Sequence, residues 1–302
     1  MTSDTSEEPK REVKTGAYTG LAWCLLHVCL LATASTLVKF SQVPAEFKLF
    51  IRSCVQFFCL LPIITRESIK NGLDVLDREK IKVLLIRGTL GPLGSIALYN
   101  ALDRIALGDA VSITFTNAVF AGIFGKLFLN EKYTLLDLFF ATVSFIGVVL
   151  ISKPSFIFGK DEKNYEGYEL VGVGLALLNA ITISLVMIAI RSLGKVNPVL
   201  NVFYFSFCGS LIGGIWAFLM NQFYVPCMSE LICVFTIGLV ALGSQIAITK
   251  ALQTEKASTV AIFRSMQLIL VFIIQVSLTE YSFFWVKYFI KRFILINTVY
   301  NV

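Results

Sequence analysis

The sequence predicts an all-α integral membrane protein of two inverted five-helix repeats, with nine clear spans and a tenth that is degenerate or missing. Three observations carry that expectation. Of 302 residues, 56% are hydrophobic and 15% charged, with a mean hydropathy of +0.77. Soluble domains run at about 45–50% and about 25%, so a water-soluble globular protein is excluded. Apolar runs of spanning length recur nine times, and the chain resembles itself at an offset of about 150 residues.

The runs lie at 17–38, 47–65, 83–102, 108–130, 134–152, 169–190, 199–220, 231–250 and 257–279. Each is apolar all round. Lipid cannot satisfy an exposed backbone, so each must be helical; a β-barrel would alternate apolar and polar residues instead. Lys10, Arg11 and Lys14 before the first run, and Ala32-Thr33-Ala34 near its end, have the form of a signal peptide. Cleavage there would destroy the repeat, so the run is read as a span.

The expected order is a cytoplasmic tail (1–16), a first unit (17–152), a polar connector (153–168), a second unit of four spans (169–280) and an atypical tail (281–302). Lys and Arg set the orientation. With the N-terminus inside, the cytoplasmic segments hold twelve, among them Lys70, Arg78, Lys132, Arg191 and Lys256, and the opposite segments six. By the repeat, the tail from Ser282 should mirror Thr134 to Ser152, yet it carries Lys287, Lys291 and Arg292 and no glycine. Three central cations would cost about 7–10 kcal/mol if they added at about 2.5–3.5 each. The expectation is a truncated or alternatively spliced form whose tail lies at the membrane interface.

The self-similarity is ordered. Arg87 to Leu102 aligns with Ile237 to Leu252, giving identities at Gly88/Gly238, Ile96/Ile246, Ala97/Ala247, Ala101/Ala251 and Leu102/Leu252. Val111/Val260, Ile113/Ile262, Leu129/Leu278 and Glu131/Glu280 follow after a one-residue gap, and Gly20-Leu21-Ala22 aligns with Gly174-Leu175-Ala176. Five spans per unit force the second copy upside down relative to the first. Inverted repeats with a midplane site between rocking halves are an architecture of secondary transporters.

Charges inside spans are the candidate site. Arg52, Arg87, Lys126, Lys250 and Arg264 fall within runs, whereas no Asp or Glu sits deep in any. A central charge costs at least about 2.5–3.5 kcal/mol, so a cation kept there wants a cavity or a partner. Arg264 and Gln267 share a face with Gln275, and Arg52 with Gln56. These five, with Asn117 and Tyr99, are the candidate solute-binding residues. For Asn117, Tyr99, Asn100 and Gln245, helix-to-helix bonding is the equal alternative. Lys250, Arg87 and Lys126 are read as snorkelling towards an interface. His27, the lone histidine, is read as a packing or bonding residue. Gly209 and Gly213 form a G-x-x-x-G that serves close packing within the chain or, less expectedly, a homodimer seam.

A family resemblance rests on Arg52-Ser53 with Gln56, Arg87-Gly88, Tyr99-Asn100-Ala101-Leu102, Leu107-Gly108-Asp109-Ala110 and Phe128-Leu129-Asn130-Glu131. Gly147 to Ile151, Pro154 with Phe156 to Gly159, and Thr249-Lys250-Ala251-Leu252-Gln253 extend it. Together these resemble the drug/metabolite transporter superfamily with two EamA domains, and most closely the G group of the solute carrier 35 family. The resemblance covers about residues 17 to 280 and departs at Ala118, where a proline is common. It implies a ten-helix fold that moves small organic solutes.

No catalytic constellation can be assembled: there is one His, no H-E-x-x-H, no G-x-S-x-G and no phosphate loop. The seven cysteines have neither zinc nor disulfide spacing. The net charge of +6 comes with no basic tract for nucleic acid. The expected function is therefore carriage of small organic solutes, preferentially anions, by alternating access. The expected setting is the plasma membrane or an endomembrane, with lipids as partners and no cofactor, metal or enzymatic activity. The alternative is a non-transporting membrane partner that keeps the fold.

Overall fold

The computed structural model describes residues 12–41, 43–71, 78–131, 134–152, 157, 167–194, 196–221, 223 and 226–280. The atypical tail, most of the connector and residues 1–11 lie outside the described residues, and so do the expectations placed on them. The described chain is helical throughout. In order the helices are α1 (Glu12–Phe40), α2 (Ala45–Asn71), α3 (Arg78–Leu102), α4 (Leu107–Thr114), α5 (Asn117–Leu129), α6 (Leu135–Ser152), α7 (Gly167–Ser192), α8 (Pro198–Leu219), α9 (Met228–Thr254) and α10 (Ala257–Glu280).

Local chemistry sets several ends. Asn197 Oδ1 accepts the Val199 N–H at 2.9 Å, with Pro198 at the first helical position of α8. Glu230 Oε2 accepts the Cys227 N–H at 3.1 Å at the start of α9. At the start of α6, Thr134 donates its N–H to Asp137 Oδ2 at 2.9 Å, and the Asp137 N–H returns to Thr134 Oγ1 at 3.3 Å. Asn130 closes α5 in the left-handed conformation, φ 52°.

Among the described residues, seven segments are long and apolar enough to cross a membrane: within α1, α2, α3, α4–α5, α7, α8 and α9. Two others, Leu135–Leu150 in α6 and Ala257–Val271 in α10, are apolar but shorter. Side chains confirm where lipid belongs. Leu127, Phe128, Leu135 and Phe218 are 64% to 86% exposed on the outer surface, a distribution that water would penalise and hydrocarbon does not.

The run at 108–130, expected as one helix, is broken at Phe115–Thr116. There the Thr116 N–H donates three residues back to Ile113 O at 3.1 Å, and its hydroxyl binds the same carbonyl at 2.6 Å. Ser112, Thr114, Thr116 and Asn117 offer the backbone side-chain partners that compete with a regular helix. The break needs no proline: Ala118 follows it.

Three long interfaces organise the bundle, with α1 along α9, α2 along α8 and α3 along α7. In addition α8 lies against α3, α2 against α9, and α10 against α1, α5 and α6. Glycines permit the close approaches. A Cβ on Gly88 would stand 2.9 Å from the Tyr204 carbonyl of α8, and one on Gly238 2.9 Å from Val55 of α2. Gly209 and Gly213 are used the same way, against Ser53 and Phe50 of α2, so the G-x-x-x-G packs helices within the chain.

Candidate functional site

Polar side chains converge on α9. Gly238, Gln245 and Thr249 fall on one face of this helix by the 3.6-residue period. Gln56 of α2 donates from Nε2 to Gly238 O at 3.4 Å. Arg87 of α3 donates from Nη2 to Gln245 Oε1 at 2.7 Å. Asn201 of α8 donates from Nδ2 to Thr249 Oγ1 at 2.9 Å. Each of the three visitors keeps buried polar atoms without a partner: Gln56 Oε1, Arg87 Nε and Nη1, and Asn201 Oδ1. Buried groups of this kind are normally satisfied by protein, water or ligand. These groups form a band between α2, α3, α8 and α9.

Arg87 is the centre of the band. It is 1% exposed, and its guanidinium carbon sits 4.3 Å above the Phe205 ring of α8. The reading of Arg87 as an interface snorkeller is corrected by this placement. Its apolar run begins at Val83, but the helix begins at Arg78, which sets Arg87 about 14 Å from the helix start at 1.5 Å per residue. Lys250 is likewise held inside, its Nζ 4.2 Å over the Trp23 ring of α1. Lys126 is exposed on the outer surface of α5, as expected of a snorkelling lysine.

One residue along α9, Ser244 receives His27 of α1. The imidazole Nδ1 lies 3.0 Å from Ser244 O and 2.8 Å from Ser244 Oγ. His27 is thus a bonding residue, as expected, but its Nε2 is buried without a partner. Arg264 of α10 is half-buried and has no hydrogen-bond partner among the described residues. His27, Ser244, Gln245, Arg87 and Phe205 therefore form a chain of neighbours across α1, α9, α3 and α8.

The other expected site residues distribute around this chain. Gln267 donates to Ser35 Oγ of α1 at 2.9 Å, tying α10 to α1. Arg52, half-buried, has its Nε without a partner, and its carbonyl lies near Gly238. Asn117 opens α5 beside the helix break; its carbonyl accepts Ser184 Oγ at 3.0 Å and its Oδ1 is unpartnered. Tyr99 is half-buried towards the end of α3, about three turns from Arg87. Gln275 lies on α10 with its side chain outside the described residues. Sequence reasoning missed Arg87 and Asn201 as members of the band. The repeat alignment carries no signal for Arg87, since it sets Ile237 opposite it.

Among the described residues no group of His, Cys, Asp and Glu could hold a metal ion. Comparison with known proteins agrees with the architecture. The model of the EamA-like transporter family matches residues 18–153. The chain is 34% identical over 264 residues to Solute carrier family 35 member G1 of Mus musculus, covering 85% of this chain and 71% of that one. For the Homo sapiens protein of the same name the figures are 33% over 281 residues, 91% and 76%. Pseudopaline exporter CntI of Pseudomonas aeruginosa is 27% identical over 226 residues, with 74% of each chain covered. A solved crystal structure superposes with a TM-score of 0.66 at 15% identity, over 87% of this chain and 88% of that one, and shares the fold. With these matches on a bundle of apolar, lipid-facing helices, the chain belongs to the EamA-like transporter family, close to the G members of solute carrier family 35, as an integral multi-pass membrane protein.

Proposed function

We propose that this membrane transporter of small solutes moves organic anions by alternating access between two inverted repeats, residues 17–152 and 169–280, joined by the connector 153–168. The observation that carries the anion preference is the set of in-span guanidinium groups, Arg52, Arg87 and Arg264, none of which has an ion-pair partner among the described residues. In a low-dielectric site an uncompensated cation attracts negative charge strongly. The same lack of deep carboxylates argues against a carboxylate-based proton or sodium site, so exchange or facilitated diffusion is the expected mode.

The packing supports the two-unit reading. Under the repeat offset the α1–α9 interface exchanges with α7–α3, and α3–α8 with α9–α2, while α2–α8 maps onto itself. Gly88 against α8 and Gly238 against α2 follow the same exchange. Gly94, which aligns with Ser244, is likewise met by a polar side chain of the first helix of the other unit, Asn179 Nδ2 donating to Gly94 O at 2.6 Å, although His27 itself aligns with Ile181. The broken α4–α5 segment, with Asn117 Oδ1 unpartnered at the break, suits a solute path lined by a discontinuous helix.

The test is uptake by purified protein in liposomes, against a panel of anionic, neutral and cationic metabolites. Anions should be taken up preferentially, and Arg264→Gln should abolish their uptake with membrane insertion intact. Wild-type uptake by that variant removes Arg264 from the site. Folded protein that moves no member of the panel favours the non-transporting alternative.

A further inference from the structure

We infer that Arg191 is a gating residue, the centre of an ionic latch that holds one mouth of the passage shut. The inference rests on the alternating-access reading above. At the end of the bundle where α5, α7 and α9 finish, Arg191 of α7 donates from Nε to Glu131 Oε1 at 2.8 Å and from Nη1 to Leu252 O at 2.9 Å. One guanidinium thus joins the end of α5 in the first unit to α7 and α9 in the second. Glu131 and Arg191 are only 16% and 24% exposed at their side chains, so the pair is shielded more than a surface salt bridge.

The local backbone is built to present Glu131. Asn130 adopts φ 52°, and the Glu131 N–H reaches back to Gly125 O at 3.1 Å, a turn that folds the chain end over its own helix. Glu131 then lies along α5 where Gly125 has no side chain: a Cβ there would be 3.2 Å from Glu131 Oε2. Two weaker ties flank the latch. Lys256 Nζ is 3.8 Å from Asp137 Oδ2, again between units, and Gln253 donates to Val196 O at 2.6 Å.

Behind the ionic layer lies a dry one. Cys24, Ala118, Ala121, Met187, Ile190 and Val260 belong to one buried cluster drawn from α1, α5, α6, α7, α9 and α10, and Leu252 of α9 is a fully buried member of it. Leu252 is common to both layers, its side chain in the cluster and its carbonyl on Arg191. Opening this mouth requires α5 to part from α7, which breaks the Arg191–Glu131 contact first and leaves the Arg191–Leu252 bond between α7 and α9 in place. A charge-assisted bond across the seam holds more strongly than a neutral one, and the apolar cluster supplies the seal against water.

Cys24 is a native reporter, buried at 1% exposure inside the dry layer. The experiment keeps it as the sole cysteine in the full chain, reconstituted in liposomes. Its modification by a membrane-impermeant thiol reagent is then timed from each side. The latch predicts slow modification of the parent protein, and about tenfold faster modification in Arg191→Gln and in Glu131→Gln, from the mouth side alone. A tenfold change is about 1.4 kcal/mol. The double variant should be no faster than either single one, because both remove the same contact. Arg191→Lys, which keeps the charge opposite Glu131 but loses the fork, should fall between. Unchanged rates in both single variants overturn the latch, as does equal acceleration from both sides, which marks a loosened bundle. Transport itself is read separately: a latch that opens in a protein with no flux refutes alternating access and leaves the gate, whereas flux with a silent Cys24 does the reverse.

Discussion

Replacing Arg87 with Met separates a functional cation from a structural one. The substitution keeps much of the length and volume of the side chain and removes its charge. It forfeits the bond to Gln245, about 1.5–3 kcal/mol for a hydrogen bond to a charged group, and the stacking on Phe205, about 0.5–2 kcal/mol. It also removes two buried nitrogen groups, Nε and Nη1, that have no partner among the described residues; their desolvation costs about 1–3 kcal/mol apiece. The terms nearly cancel, which matches the general finding that apolar replacement of buried ionic groups is often neutral or stabilising. Arg87→Met should therefore melt within about 2 kcal/mol of the parent, measured as the loss of the monodisperse species on heating in detergent. Uptake per folded molecule in liposomes should fall by at least about tenfold. The converse result, a much lower melting temperature with unchanged specific uptake, would show that Arg87 holds helices together and that the anion reading of the band is wrong.

Other consequences can be checked with the same preparations. Gln267→Ala should cost about 0.5–1.5 kcal/mol through the lost bond to Ser35; altered solute selectivity in the same variant would support Gln267 as a solute-binding residue, and unchanged selectivity would count against it. Gly94→Val should destabilise by about 1–3 kcal/mol, because a Cβ already meets Thr182 Cγ2 at 2.9 Å; a parental melting profile would mean that α3 and α7 are not in contact there. Single cysteines at Lys70 and Lys256 should be labelled from the face opposite to cysteines at Lys160 and Gln222. Labelling of Lys70 and Gln222 from the same face contradicts the inverted arrangement.

Sequence alone determined the class of the protein and the places of its helices, because both follow from local solvation. A run such as Glu169 to Ile190 that no aqueous surface could carry must enter lipid, and lipid admits only a closed backbone. The internal match also needed no coordinates, since Gly88/Gly238 and Ala101/Ala251 stand at one offset. Tertiary structure decided what each in-span polar group does. Arg87 and Lys126 look alike in sequence, a cation some residues from the end of an apolar run. One is buried over Phe205 and the other is exposed at the outer surface, because a helix has a lipid side and a bundle side and only its neighbours define which is which. Gln267 and Arg264 share a face, yet Ser35 happens to meet the first and nothing among the described residues bonds the second. The break at Phe115–Thr116 belongs to the same category. Its hydroxyls and amide were legible as helix-weakening groups, but the packing of α7 against both fragments, with Ser184 on the Asn117 carbonyl, is what makes an interrupted helix tolerable. Burial of polar groups is a property of pairs of helices, and a one-dimensional pattern specifies faces but not partners.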